Sequence, residues 1–77
     1  DINGMAAYLA AMKIRRRLSQ VAKHYFLDLK EEIHIDEQDD KTDALMSYQD
    51  GHILYQDKKV DLVTIIKRAY FHRVQLG

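Results

Sequence analysis

The chain has no cysteine among its 77 residues. Disulfides, thiolate metal ligands and a cysteine nucleophile are therefore excluded, and the usual staples of a secreted mini-protein are missing. A reducing, cytoplasmic compartment is the expectation that follows. Glycine is nearly as scarce, at three positions. Gly4, Gly51 and Gly77 fall at a helix start, a turn and the terminus, so no glycine-rich phosphate loop exists. The four histidines (His24, His34, His52, His72) form no HxH, HxxxH or HExxH spacing, and no local metal chelate is written into the chain. Ser19 and Ser47 lie in periodic segments, away from any strand-to-helix nucleophile elbow. Hydrophobic runs of membrane-spanning length are lacking, as is a signal-peptide pattern. These absences argue against an enzyme, against a cofactor or metal, and against a membrane partner.

Net charge is zero, but charge is strongly segmented. Residues 1–30 carry six Lys/Arg against two acids, residues 31–61 three against ten, and residues 62–77 three against none. A general nucleic-acid binder is basic overall. Here the acidic middle competes for the basic ends, within one chain or between two.

The strongest local signal is Met46-Ser47-Tyr48-Gln49-Asp50-Gly51-His52-Ile53-Leu54-Tyr55. Asp-Gly is suited to a type I′ turn, which requires positive φ at both central residues. With the turn at Asp50-Gly51, the pairs are Gln49/His52, Tyr48/Ile53, Ser47/Leu54 and Met46/Tyr55. Met46, Tyr48, Ile53 and Tyr55 then share one face. A one-residue slip would scatter them, so the register is specified. The opposite face is polar except for Leu45 and Leu54, which stand as a candidate interface.

Before the hairpin, Asn3 is a plausible N-cap for a helix from about Met5 to about Asp28. Ala7, Ala10, Ala11, Ile14, Leu18, Val21, Ala22, Tyr25 and Leu29 form its core-facing stripe, with Lys13, Arg17, Gln20 and His24 opposite. A second apolar strip in the first half contains Met5, Leu9 and Met12, with Tyr8 at its border. An apolar surface on two sides needs two neighbours, and monomers avoid large exposed apolar patches. Arg15-Arg16-Arg17 point about 100° apart on a helix and do not make one patch. Ile33-His34-Ile35-Asp36 alternates as a third strand would. Residues 36–43 read as a solvated acidic loop without the order of a calcium-binding EF-hand.

After the hairpin, residues 56–59 read as a polar connection. Asp61 is the N-cap of a helix to about Val74, with Val60 and Ile65 as a hydrophobic staple. Leu62, Ile65, Ile66, Ala69, Tyr70 and Leu76 line its inner face, and Phe71 falls outside it. Gly77 sits where a C-cap would.

Residues 1–77 are expected to form one small α+β domain. It comprises a long N-terminal helix, a two- or three-stranded antiparallel sheet centred on the hairpin, and a C-terminal helix. Lacking an initiator Met, it could be a piece of a longer chain. A domain of this size buries only roughly 60% of its unfolded surface, so a partner is a natural source of extra stability. The expected function is a non-enzymatic protein-interaction or regulatory module, self-associating through its N-terminal helix. Candidate interface residues are Met5, Tyr8, Leu9, Met12, Leu45, Leu54 and Phe71. The alternative is a nucleic-acid-binding regulator using Arg15, Arg16, Arg17, Lys67 and Arg68.

Overall fold

Asp50 and Gly51 take φ of 49° and 74°, the left-handed pair that a type I′ turn demands. In the computed structural model, which describes all 77 residues, this turn joins β1 (Ser47–Gln49) to β2 (His52–Tyr55). Ser47 pairs with Leu54, Tyr48 with Ile53 and Gln49 with His52, the register expected from the apolar pattern. A second tight turn, with Gln56 at φ 57°, leads into β3 (Lys58–Asp61), which pairs antiparallel with β2. The sheet is thus a β1-β2-β3 meander.

The third strand is not the one the alternation suggested. Lys58 and Lys59 read as part of a polar connection, and Val60 and Asp61 as the staple and cap of the next helix, because only Val60 points inward; the other three side chains are exposed. A four-residue strand with one buried side chain leaves no period-2 signal. Residues 33–35, which do alternate, form no strand. Their extended backbone is held by side chains of the N-terminal helix α1 (Ile2–Phe26). The Gln20 amide donates to Asp36 O (2.7 Å) and accepts from Asp36 N–H (2.8 Å). His24 Nε2 meets Glu31 O at 2.8 Å. Ile33 and Ile35 still turn inward and pack on the core. Gln20 and His24, expected on the solvated side of the helix, are covered by this segment instead, His24 almost completely.

Asp1, not Asn3, caps α1: its carboxylate accepts from the N–H groups of Asn3 (2.8 Å) and Gly4 (3.2 Å). Both long helices end in the same way, without glycine. Asp28 (φ 52°) follows α1 and Arg73 (φ 58°) follows the C-terminal helix α3 (Leu62–Phe71). In each case a Schellman pair of bonds closes the last turn. Leu29 N–H reaches His24 O and Asp28 N–H reaches Tyr25 O; Val74 N–H reaches Ala69 O and Arg73 N–H reaches Tyr70 O. The left-handed Arg73 stops α3 three residues short of the expected Val74 and turns Val74 back onto the core. Part of the acidic stretch is also ordered: α2 (Asp40–Ala44) is a single turn. Its cap, Asp39, accepts from Thr42 N–H (2.9 Å) and Thr42 Oγ1–H (2.7 Å).

One cluster forms the core. Leu18, Val21 and Ala22 of α1 meet Met46, Ile53 and Val60 from the sheet side and Ile65 and Ala69 of α3. Asp61 caps α3 by accepting from Val63 N–H, and the staple residues Val60 and Ile65 are both buried. The inner face of α3 is narrower than its periodicity suggested, since Ile66 and Tyr70 are exposed. At the other end, Ala7, Ala10 and Ala11 of the supposed core stripe are exposed as well. Lengths explain this. A 25-residue helix runs about 37 Å, while strands of three and four residues span only about 10–14 Å. Sheet and α3 cover the second half of α1, and every residue from Asp1 to Ala11 stands exposed.

Ile53 is fully buried at the sheet centre, whereas neighbouring Leu54 faces outward and is half-buried. Ile53→Ala should cost about 2–5 kcal/mol in denaturant unfolding, and Leu54→Ala less than about 1.5 kcal/mol. A slipped register would reverse that order.

Candidate interaction surface

The three consecutive arginines fan out from α1, and each finds an acid or carbonyl of the following acidic segment. Arg15 Nε donates to Asp43 Oδ1 at 2.9 Å, Arg15 Nη2 to Met46 O at 3.3 Å, and the guanidinium lies 4.5 Å above the Tyr48 ring. Arg16 Nε donates to Glu37 O (3.2 Å) and its guanidinium is 3.9 Å from Asp40. Arg17 Nε donates to Glu37 Oε1 (2.9 Å) and Nη1 to Gln75 O (2.8 Å), tying down the C-terminal residues. The basic N-terminal and acidic middle segments thus neutralise each other within one chain.

Asp43 is the hub. Beside Arg15 it accepts from Ser19 Oγ–H (2.7 Å), and Ser19 Oγ is in turn 2.7 Å from the Tyr48 hydroxyl. Carboxylates only accept, so the Ser19 proton points to Asp43 and the Tyr48 hydroxyl donates to Ser19 Oγ. Burial pushes the Tyr48 pKa upward and the Asp43 charge adds to that, against the opposing charge of Arg15. Ser19 is wholly buried, so its hydroxyl faces no substrate. No buried side-chain polar atom lacks a partner.

A second polar bolt joins α1 to α3. Arg68 Nη1 lies 2.9 Å from His24 Nδ1, and its guanidinium sits 5.1 Å over the Tyr25 ring. Guanidinium nitrogens only donate and Glu31 O only accepts, which fixes His24 as the neutral Nε2–H tautomer. The ring also meets His72 edge-on at 5.0 Å. Of the five residues considered for nucleic acid, Arg15, Arg16, Arg17 and Arg68 are therefore engaged inside the fold, and Lys67 alone is exposed and outside these networks.

The apolar candidates fare differently. Met5, Tyr8 and Leu9 are 59%, 61% and 58% exposed on the first three turns of α1, joined by Ile2 at 88%. Met12 is half-buried. From Ile2 to Met12 no side chain carries a charge. At the root of this arm, Ala11, Ile14, Leu18, Tyr48 and Leu62 line an open depression of about 380 Å³ with Arg15 at its edge. Leu45 and Leu54 do not share a sheet face: Leu45 is the exposed C-cap of α2, and Leu54 alone is on the outer side of the sheet. Phe71 is 81% exposed, and Tyr70, expected in the core, stands exposed beside it with Lys67 and Arg73 around an open cleft. The exposure of Ile2 and Tyr70 was hidden in the sequence, because periodicity assigns a face to a residue but not a neighbour to that face.

No group of His, Asp or Glu side chains is arranged to hold a metal ion, and no helix is long and apolar enough to cross a membrane. Comparison of the chain with protein-family models, with characterised proteins and with solved structures returned no match.

Two outcomes follow for the Asp43 hub. Asp43→Ala leaves Ser19 and Arg15 short of an acceptor, and should cost roughly 1–3 kcal/mol in urea unfolding. Because Tyr48 is raised in the folded state, the unfolded chain loses its tyrosine proton first. Stability should hold below the ordinary tyrosine pKa near ~10 and fall as pH rises through the folded value. Alkaline melts of the wild type should show that fall, and Tyr48→Phe should flatten it while lowering stability at neutral pH.

Proposed function

We propose that the chain is a non-enzymatic protein-interaction module that presents the N-terminal arm of α1 to an apolar surface on a protein partner. The observation that carries this reading is the arm itself: eleven exposed residues, with large apolar side chains at Ile2, Met5, Tyr8 and Leu9 and no charge between Asp1 and Lys13. A helix exposed to water normally keeps a charged face. One that is apolar on several sides is suited to burial against something else. The folded root supplies the rest of the design: Arg15, Arg16 and Arg17 anchor the base of the arm to the acidic segment, so the arm leaves the domain in a fixed direction. Nucleic-acid binding draws less support, since it would require guanidinium groups already committed to Asp43, Glu37 and His24.

A photo-crosslinking residue placed at Leu9, compared with one at exposed Gln49 on the outer sheet face, tests the reading in the native host cell. Discrete adducts should form from position 9 and disappear when Met5→Glu is added; their absence at position 9 would sink the proposal. Met5→Glu should change the free energy of unfolding by no more than the scatter typical of surface substitutions, about ±0.5 kcal/mol, because Met5 lies outside the core and the residues packed on it.

A further inference from the structure

We infer that the surface covering the arm is the arm of a second copy of this chain, docked antiparallel. This rests on the arm being an interaction element and goes further by naming its occupant and orientation. Ile2, Met5, Leu9 and Met12 are spaced three, four and three residues apart, the a/d spacing of a heptad seam. Antiparallel alignment about the level of Ala7 sets Ile2 opposite Met12 and Met5 opposite Leu9. Symmetry repeats both layers, so the four seam residues pair in four layers. The next seam position is Arg16, already held by Glu37 O and Asp40, and there the apolar strip ends.

Charge selects the orientation. The only charged side chain of the arm is Asp1 at its tip, while Lys13 and Arg15–Arg17 crowd its root. Arg15–Arg17 are already paired with Asp43, Asp40 and Glu37, so antiparallel docking brings each Asp1 to the partner's Lys13 and opposes the two helix dipoles. Parallel docking would place Asp1 beside Asp1 and Lys13 beside Lys13. Like-charge juxtaposition of that kind suppresses a pairing. Lys13 forms no ion pair within the chain, which leaves it available to the incoming acid. Such an overlap spans about three helical turns, or ~16 Å. Its buried area falls toward the low end of specific interfaces, below about 1,200 Å², so the dimer is reversible and concentration-dependent.

Sedimentation equilibrium of the full chain from low to high micromolar concentration should show a monomer–dimer transition. Leu9→Glu should weaken it by roughly tenfold or more, since a carboxylate would enter an apolar layer, with the thermal midpoint of the diluted monomer unchanged. The chain has no native cysteine, so engineered thiols report orientation directly. Under mild oxidation, an equal mixture of Ile2→Cys and Met12→Cys chains should give mainly the mixed disulfide. Predominant Met12→Cys homodisulfide would overturn the antiparallel arrangement. A monomer at every concentration would overturn the second copy. If position-9 photoadducts to another protein persisted in that case, the interaction module would stand with a different occupant; if they were absent too, both readings would fall.

Discussion

The Asp43 carboxylate is the point on which the packing of this small domain turns. It accepts from Arg15 and Ser19 of α1, it belongs to α2, and through Ser19 it reaches Tyr48 of β1. One side chain thereby fixes helix, acidic segment and sheet edge relative to each other. The cost of burying a carboxylate is offset because Arg15 supplies opposite charge and every neighbouring polar atom is satisfied. With only eight apolar residues in the buried cluster, the network adds directional contacts that apolar packing does not supply. Arg16 and Arg17 extend the arrangement to Glu37 and the backbone of Gln75, so the acidic segment and the C-terminal residues both attach to the same two turns of α1.

What could be read ahead of the structure was whatever is set locally. The Asp50-Gly51 turn, its register, the staple of Val60 and Ile65 and the cap at Asp61 follow from neighbouring residues and needed no knowledge of the rest. Features that depend on length or on distant partners could not be read. Asp28 and Arg73 enter left-handed backbone without glycine because the Schellman bonds, joined at Arg73 by the inward return of Val74, outweigh the strain of that conformation. β3 is defined by its pairing to β2, not by its own pattern. The alternation of Ile33 and Ile35 was a sound signal for extended backbone but not for a sheet, since Gln20 and His24 supply the hydrogen bonds that a neighbouring strand would have supplied.

The candidate surface divides in the same way. Two apolar strips on the first half of α1 were visible as a pattern, and the need for two neighbours followed from it. That neither neighbour comes from this domain became clear only from the mismatch between a long helix and short strands. The arginine triplet shows the converse. Its residues looked available in sequence, and the fold engages all three with acids and carbonyls twenty or more residues away.

The arm has a thermodynamic character of its own. Eleven residues are fewer than the ~12–15 that an isolated helix needs to hold together in water. It is helical because the root is: the turns around Leu18 and Val21 are held in the core, and each residue toward the tip adds only the small gain of propagation. Order should therefore decay outward from Met12 to Ile2, with fraying resisted at the tip by the Asp1 cap alone. A partner meets a surface whose backbone is already largely paid for at its base and still adjustable at its end, so the root sets direction and the tip sets fit.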